Sequence, residues 1–410
     1  MPEPCPAADT CAAALDPDEV AAWLRLDAVP GLGRRTARLL LDKFGLPQQV
    51  LAAGEAQLAR WLPGPVASAV RARPDASLSA RIDRTVGWLR EPGHHLLTLA
   101  DRAYPRPLLD LADPPLLLYA RGRLETLQRP ALAVVGARSA TVQGVRDAEL
   151  FASAFSSAGI TVVSGLALGI DVAAHTGGLT GPGGTIAVVG TGLDRCYPAC
   201  HRALAQRIAA EGLLLSEFPL GTPARSQHFP QRNRLIAALA RGVLVVEAAL
   251  RSGSLITARL AAELGREVFA VPGSIHAPLA AGCHRLIQQG AKLVASPQDV
   301  FEEPGLLADP QASPRASPWA GSRAGSRADS LADSWAGGSR AAGKPEAAMP
   351  ARPSGGADAL GTALAYDPVD PDTLCIRTGL PPEAVAAALL QLELAGAVER
   401  MPGNLYRRLA

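Results

Sequence analysis

Between positions 228 and 236 the chain reads His228-Phe229-Pro230-Gln231-Arg232-Asn233-Arg234-Leu235-Ile236, which crowds an aromatic ring, an amide and two arginines at the start of a helix. Phe229 offers a stacking face to any nucleobase, and Arg232 and Arg234 can each fork two donors onto a phosphate. Asn233 stands between them as a hydrogen-bonding partner. The same residues also allow an internal reading, in which Phe229 packs inward and one arginine pairs with Glu217 or Glu247.

A second set of groups lies in glycine-bearing turns that follow apolar runs: Gly136-Ala137-Arg138, Ser164-Gly165-Leu166-Ala167 and Gly190-Thr191-Gly192. Bare backbone N–H groups at a strand-to-helix turn attract anions, and glycine lets the backbone come close. A nucleotide cofactor is the obvious occupant, but the residues disagree with it. The dinucleotide fingerprint needs a glycine where Arg138 stands, and an acid at the end of the second strand where the chain has Ser164-Gly165. No Gly-Lys-Ser/Thr phosphate loop occurs either. Anion-friendly turns with Arg138 aimed into them suit the phosphates of a polymer better, and no cofactor is assigned. Ser252-Gly253-Ser254 is a further helix start that either presents N–H groups to a ligand or is a plain cap.

Asp171, Glu217 and Glu247 carry a competing reading, a nucleotide- or nucleoside-hydrolysing enzyme with one of these carboxylates as general acid or base. No nucleophile or metal-ligand set accompanies them in sequence, and Asp171 can equally bond backbone amides. A pure protein scaffold is a third reading. The six cysteines are scattered. Cys196, Cys200 and His201 lack a second pair at zinc-site spacing, so neither a metal nor a disulfide framework is expected. The expectation is a binding protein without catalytic residues.

The elements that would hold these groups follow from hydrophobic runs. Ala131–Val135, Thr161–Val163, Thr185–Val189, Leu213–Leu215, Val243–Val246, Val268–Val271 and Lys292–Val294 are short apolar strands separated by helical stretches. That pattern predicts an α/β fold, a Rossmann-like, mostly parallel sheet covered on both faces. This core is bounded at 79–303. Residues 16–76 read as short helices. Within them Gly31 and Gly33 turn one helix into another that begins near Arg34, a helix-hairpin-helix that either meets DNA with Arg34, Arg35 and Arg38 or serves only packing or protein contacts, with these arginines on a solvated face. Residues 304–356 are rich in Pro, Ala, Gly and Ser and predict a disordered linker spanning roughly 40 Å. Residues 357–410 read as three helices and a hairpin, a winged helix. Its third helix, Glu383 to Leu394, carries two carboxylates and no cation, which suits a phosphate-lined groove poorly.

Composition adds bounds only. Apolar residues are 48% and charged residues 19%, enough for sizeable cores, while 40 Lys+Arg against 38 Asp+Glu select no partner. Almost all the basic charge is arginine, so electrostatic function must come from local clustering. Residues 1–15 hold acids and prolines and resemble neither a signal peptide nor a membrane span, so a cytoplasmic protein with no membrane partner is expected.

The residue series resembles the DprA/Smf family. It includes Gly136-Ala137-Arg138, Ser164-Gly165-Leu166-Ala167, Gly169-Ile170-Asp171, His175, Tyr197-Pro198 and Ser216-Glu217. Phe229-Pro230 with Arg232-Asn233-Arg234, Ser252 through Ala258 and Val271-Pro272-Gly273-Ser274 continue it. The resemblance implies an extended Rossmann core that binds single-stranded DNA, forms a homodimer, and protects the strand and helps load RecA on it in natural transformation. Single-strand-binding protein is a further candidate partner. Carried over by motif, the DNA site falls on Arg138, Gly165, Phe229, Arg232, Asn233 and Arg234. Two departures stand out, Leu168 and Ala199, where many relatives have lysine. Arg195, Arg202 and Arg225 are the candidates to replace that charge.

Overall fold

A computed structural model describes residues 16–303 and, further on, 364, 369–394, 397–401 and 405–408. The expected linker at 304–356 lies outside the described residues, as does the helix expected at 357–364 except for Leu364.

Helices come first: α1 (Pro17–Asp27), α2 (Arg34–Phe44), α3 (Pro47–Ala52), α4 (Glu55–Leu58), α5 (Gly64–Arg71) and α6 (Ala76–Trp88). Two strands follow, β1 (His94–Thr98) and β2 (Leu117–Gly122). Strand and helix then alternate through β3 (Ala131–Val135), α7 (Val142–Ser157), β4 (Thr161–Ser164), α8 (Ile170–Gly178), β5 (Thr185–Val188), α9 (Arg202–Glu211) and β6 (Leu213–Ser216). The alternation continues with α10 (His228–Leu239), β7 (Gly242–Val245), α11 (Gly253–Glu263), β8 (Glu267–Ala270), α12 (Ala281–Gln288), β9 (Lys292–Leu293) and α13 (Pro297–Phe301). The C-terminal part holds α14 (Pro371–Thr378), α15 (Pro382–Leu394) and the antiparallel hairpin β10 (Val398–Met401) and β11 (Leu405–Arg408).

One nine-stranded sheet runs in the order β1-β2-β6-β5-β4-β3-β7-β8-β9. Strands β3 to β9 are mutually parallel, and β2 pairs antiparallel with both β6 and β1. The sequence pattern shows the parallel strands as buried apolar runs; it does not itemise the antiparallel pair β1 and β2. From β3 the chain adds β4, β5 and β6 on one side, then crosses over to lay β7, β8 and β9 on the other. The crevice beyond the carboxyl ends of these strands is where open α/β sheets bind ligands.

Alternation along each strand sends side chains to opposite faces. In β3, Ala131, Ala133 and Val135 join Leu235 and Leu239 of α10, Ala258 of α11 and Leu286 of α12. Leu132 and Val134 pack on the other face with Phe151 and Phe155 of α7 and Ile170 of α8. A third cluster joins the helical module to the sheet: Trp23, Leu24 and Leu40 meet Leu96 of β1, Leu117 and Tyr119 of β2, and Ile208 of α9. The module and the sheet thus share one apolar core. Helix α6 runs unbroken across positions 76–79, and the ring of Trp88 at its end stacks on His94 at 4.2 Å.

Candidate nucleic-acid interface

A depression of about 430 Å³ opens at the carboxyl ends of β3, β4 and β5. Its walls are Arg138 from the β3 turn, Gly165 to Leu168 from the β4 turn, Val189 to Thr191 after β5, Tyr197 and Pro198, and Phe229. The guanidinium carbon of exposed Arg138 lies 5.3 Å from the centre of the Phe229 ring, a cation–π contact. The Tyr197 ring is tilted 43° to Phe229 at 5.6 Å and is half exposed. A cation beside two accessible aromatic faces can take a phosphate and its base together.

Phe229 reaches this wall because its predecessor is turned the other way. His228 is buried, stacked on Phe218 at 4.3 Å, with Nδ1 3.2 Å from the Gly190 carbonyl oxygen. That anchors the first turn of α10 and leaves Phe229 half-buried at the pocket.

The β4 turn is held from behind. Asp171 accepts the backbone N–H groups of Gly165 at 3.1 Å and Ala167 at 3.2 Å. Burial pushes its carboxyl up, against the opposing pull of Arg232. Leu166 sits at a φ of 58°, a left-handed conformation that a non-glycine residue keeps only under restraint. The restraint is visible. Its N–H donates to His175 Nε2 at 3.2 Å, and its carbonyl lies 3.0 Å from His201 Nδ1. His175 Nε2 accepts, so its proton is on Nδ1, 2.8 Å from the Thr185 hydroxyl oxygen, whose own proton goes to the Val162 carbonyl at 2.8 Å. Burial lowers the His175 pKa to about 3, which keeps the ring neutral and this tautomer in place.

Of the six expected site residues the structure brings Arg138, Gly165 and Phe229 to the pocket wall and takes the other three elsewhere. Arg232 is buried beneath it, donating through Nη1 to the carbonyls of Gly165 and, at 2.6 Å, of Val188. Arg234 points to the opposite side of α10, where it pairs with the buried Glu217 and lies 3.8 Å from Asp113. Asn233 reaches the Gly253 carbonyl at 3.4 Å, tying α10 to the first turn of α11. The expectation that Arg232 and Arg234 present their charge to phosphate is therefore revised: both guanidiniums satisfy buried acceptors. Helical spacing accounts for Arg234, which stands five positions from Phe229, whereas Arg232, three positions on, is drawn beneath the wall by the carbonyls of Gly165 and Val188. Tyr197, Leu168 and Thr191 are pocket residues that reasoning from spacing does not single out, although the Gly190-Thr191-Gly192 turn is visible.

The competing carboxylates are all engaged. Glu247, just past β7, accepts the Thr141 N–H at 2.9 Å and the Thr141 hydroxyl at 2.5 Å. Thr141 in turn accepts the Gly144 N–H at 3.0 Å as the N-cap of α7. The anion position at this helix start, beside the switch in strand order, is thus filled by the chain's own carboxylate. A Cβ on Gly144 would overlap that carboxylate, which explains the glycine.

Glu217 gathers the helical module. Arg34 of α2 lies 3.0 Å from its carboxylate and 3.7 Å from Asp113, next to Arg234. Arg35 donates to the Ala112 carbonyl at 3.3 Å and Arg38 to that of Leu109 at 3.4 Å. All three arginines of the helix-hairpin-helix thus contact the core, Arg34 through Glu217 and Asp113 and the other two through backbone carbonyls at 109 and 112.

Comparison with known proteins agrees with this architecture. The family model described as DNA recombination-mediator protein A matches residues 95–305. Protein Smf of Escherichia coli is 40% identical over 330 residues, 80% of each chain. The chain belongs to the DprA/Smf family. The DNA processing protein DprA of Streptococcus pneumoniae is 49% identical over 206 residues, covering 50% of this chain and 73% of that one. A crystal structure of the Streptococcus pneumoniae DprA aligns with a TM-score of 0.60 at 38% identity, over 70% of this chain and 98% of that one. The DprA core match begins inside β1 and ends just beyond α13, leaving the helical module outside it. A second model, the DprA winged helix domain, matches residues 344–404 and takes in α14, α15 and β10, so the C-terminal part is a winged helix. No helix among the described residues is long and apolar enough to cross a membrane.

Proposed function

We propose that this DprA-family protein binds single-stranded DNA without sequence preference at the Arg138–Phe229 pocket. The observation that carries the reading is the pairing of one exposed arginine with two accessible rings at the ligand-binding edge of the sheet. Stacking is open to every base and a phosphate contact carries no sequence information, so both groups accept any strand. In this reading Arg138, Gly165 and Phe229 line the contact, while Arg232, Asn233 and Arg234 position it. Duplex DNA binds more weakly, because its stacked bases cannot reach Phe229. The winged helix serves as an interaction module: α15 has Glu383 and Glu393 and no cation to meet a duplex backbone. By family membership the bound strand is protected and passed to RecA during natural transformation by a cytoplasmic homodimer.

The test is fluorescence anisotropy of the full chain with oligo-dT, a mixed-sequence strand and a duplex of equal length, beside an assay of nucleotide turnover. Equal affinity for both single strands, weaker duplex binding and no turnover are expected. Tighter duplex binding, or turnover that depends on Glu217, Glu247 or Asp171, overturns the reading.

A further inference from the structure

Beside the Arg138 pocket lies a larger depression of about 730 Å³. Leu166, Val189 and Tyr197 belong to the walls of both, so the two are continuous across the half-exposed Tyr197 ring. Their chemistry differs. Arg121, Arg195 and Arg202 converge on the second depression from the end of β2, the turn after β5 and the first residue of α9.

Among the described residues, none of these three guanidiniums forms an ion pair or a side-chain hydrogen bond. The one carboxylate in the lining, Asp194, accepts the Gly221 N–H at 2.8 Å instead. The contrast with Glu217 is informative, because there Arg34 and Arg234 surround an acid. Here Arg121 and, far from it in sequence, Arg195 and Arg202 line one cavity whose single acid, Asp194, accepts the Gly221 N–H rather than pairing with any of them. Such a concave surface with an excess of positive charge concentrates anions.

We propose that this depression is a second phosphate subsite, which holds the backbone of the same single strand beyond the nucleotide stacked at Phe229. The subsite presupposes the single-strand reading of the first pocket. A strand leaving Phe229 crosses the Tyr197 ring, on which the next base can stack, and lays its phosphates among Arg121, Arg195 and Arg202. A polymer fits better than a separate small ligand because the ridge between the two depressions is open and made by residues common to both.

The full chain is titrated with oligo-dT of about 4 and about 16 nucleotides, the span of site sizes that such grooves take. The variant is Arg195→Ala/Arg202→Glu; a carboxylate at the first residue of α9 suits the helix N-terminus, so the fold survives. Arg121→Ala is the second variant should circular dichroism of the first change. The longer strand should lose about tenfold or more in affinity, and its log–log salt slope should fall by about 0.7 for each phosphate released. The short oligomer should bind almost as before, whereas Arg138→Ala weakens both. An unchanged long strand with a weakened Arg138→Ala removes the second subsite and leaves the first reading standing. No effect from Arg138→Ala removes that first reading itself. Equal weakening of both lengths means a diffuse field and overturns the subsite. Thymidine monophosphate is titrated in parallel: saturable binding lost in the variant, with strand binding untouched, assigns the depression to a free nucleotide and overturns the strand path.

Discussion

The Arg232 guanidinium occupies the space that a side chain on Gly165 would need. A Cβ there would overlap Nη1, the same nitrogen that donates to the Gly165 carbonyl. The pocket turn carries glycine because an arginine stands directly behind it. Burial lowers the Arg232 pKa to about 10, with Asp171 opposing the shift, so the group is still charged at neutral pH.

Arg232→Ala should therefore unfold more readily rather than merely lose DNA. It strands the carbonyls of Gly165 and Val188 and removes the cation facing Asp171, a loss of about 3–5 kcal/mol in urea unfolding. Gly165→Ala should be destabilised as well, by forcing the guanidinium out of its place. Wild-type stability in both variants would return Arg232 to the list of free DNA ligands.

Arg138→Ala and Phe229→Ala separate charge from stacking. Arg138 is exposed and lies over the ring of half-buried Phe229 at the pocket, so both variants keep the fold. Arg138→Ala should lower the salt slope for single strands by about 0.7. Phe229→Ala should cost about 1–3 kcal/mol of affinity with the slope retained. Identical slopes in wild type and Arg138→Ala would deny the phosphate contact.

Glu217→Gln tests the docking of the helical module. The carboxylate is almost fully buried between Arg34 and Arg234, and its loss leaves the two guanidiniums sharing the half-exposed Asp113. Stability should fall by about 3 kcal/mol or more. Hydrogen exchange should speed up first in α2, while affinity for oligo-dT in the folded protein stays close to wild type. Unaltered protection of α2 would show that the shared apolar cluster alone holds the module.

His175 predicts an acid-side weakness. Its folded pKa is about 3 and its ordinary value 6.5. Between these pH values the unfolded chain binds a proton that the folded chain refuses. Its contribution is therefore fully present above pH 6.5 and is lost as the pH falls toward 3, at up to about 1.4 kcal/mol per pH unit. Asp171 and Glu217, both pushed up by burial, act in the opposite sense, so the readout is a difference. Unfolding free energy measured in wild type and His175→Gln should diverge in pH dependence below 6.5. Parallel curves would mean that His175 is protonated in the folded state.

The parallel strands were legible because each is a short apolar run between helical segments, and burial on both faces leaves no other composition open to them. The antiparallel pair β1 and β2 was harder to see. Its residues Leu117 to Ala120 alternate between two apolar clusters, so no polar face marks the period. The boundary between module and core was read from composition, which is blind to Trp23 and Tyr119 sharing a cluster from ends of the chain nearly a hundred positions apart.

By itself the sequence determined the architecture and the anion-friendly edge: the glycine turns, Arg138 after β3, and Phe229 at the start of α10. Those follow from local chemistry, since a turn needs glycine and a buried parallel strand needs an unbroken apolar run. Only the tertiary structure decided which cations are free. Arg34, Arg138, Arg232 and Arg234 are alike as letters, yet Glu217 claims two of them, the carbonyls of Gly165 and Val188 claim a third, and Arg138 remains at the pocket. The physical reason is that a guanidinium goes to whichever acceptors burial has left unsatisfied, and those lie on elements far away in sequence.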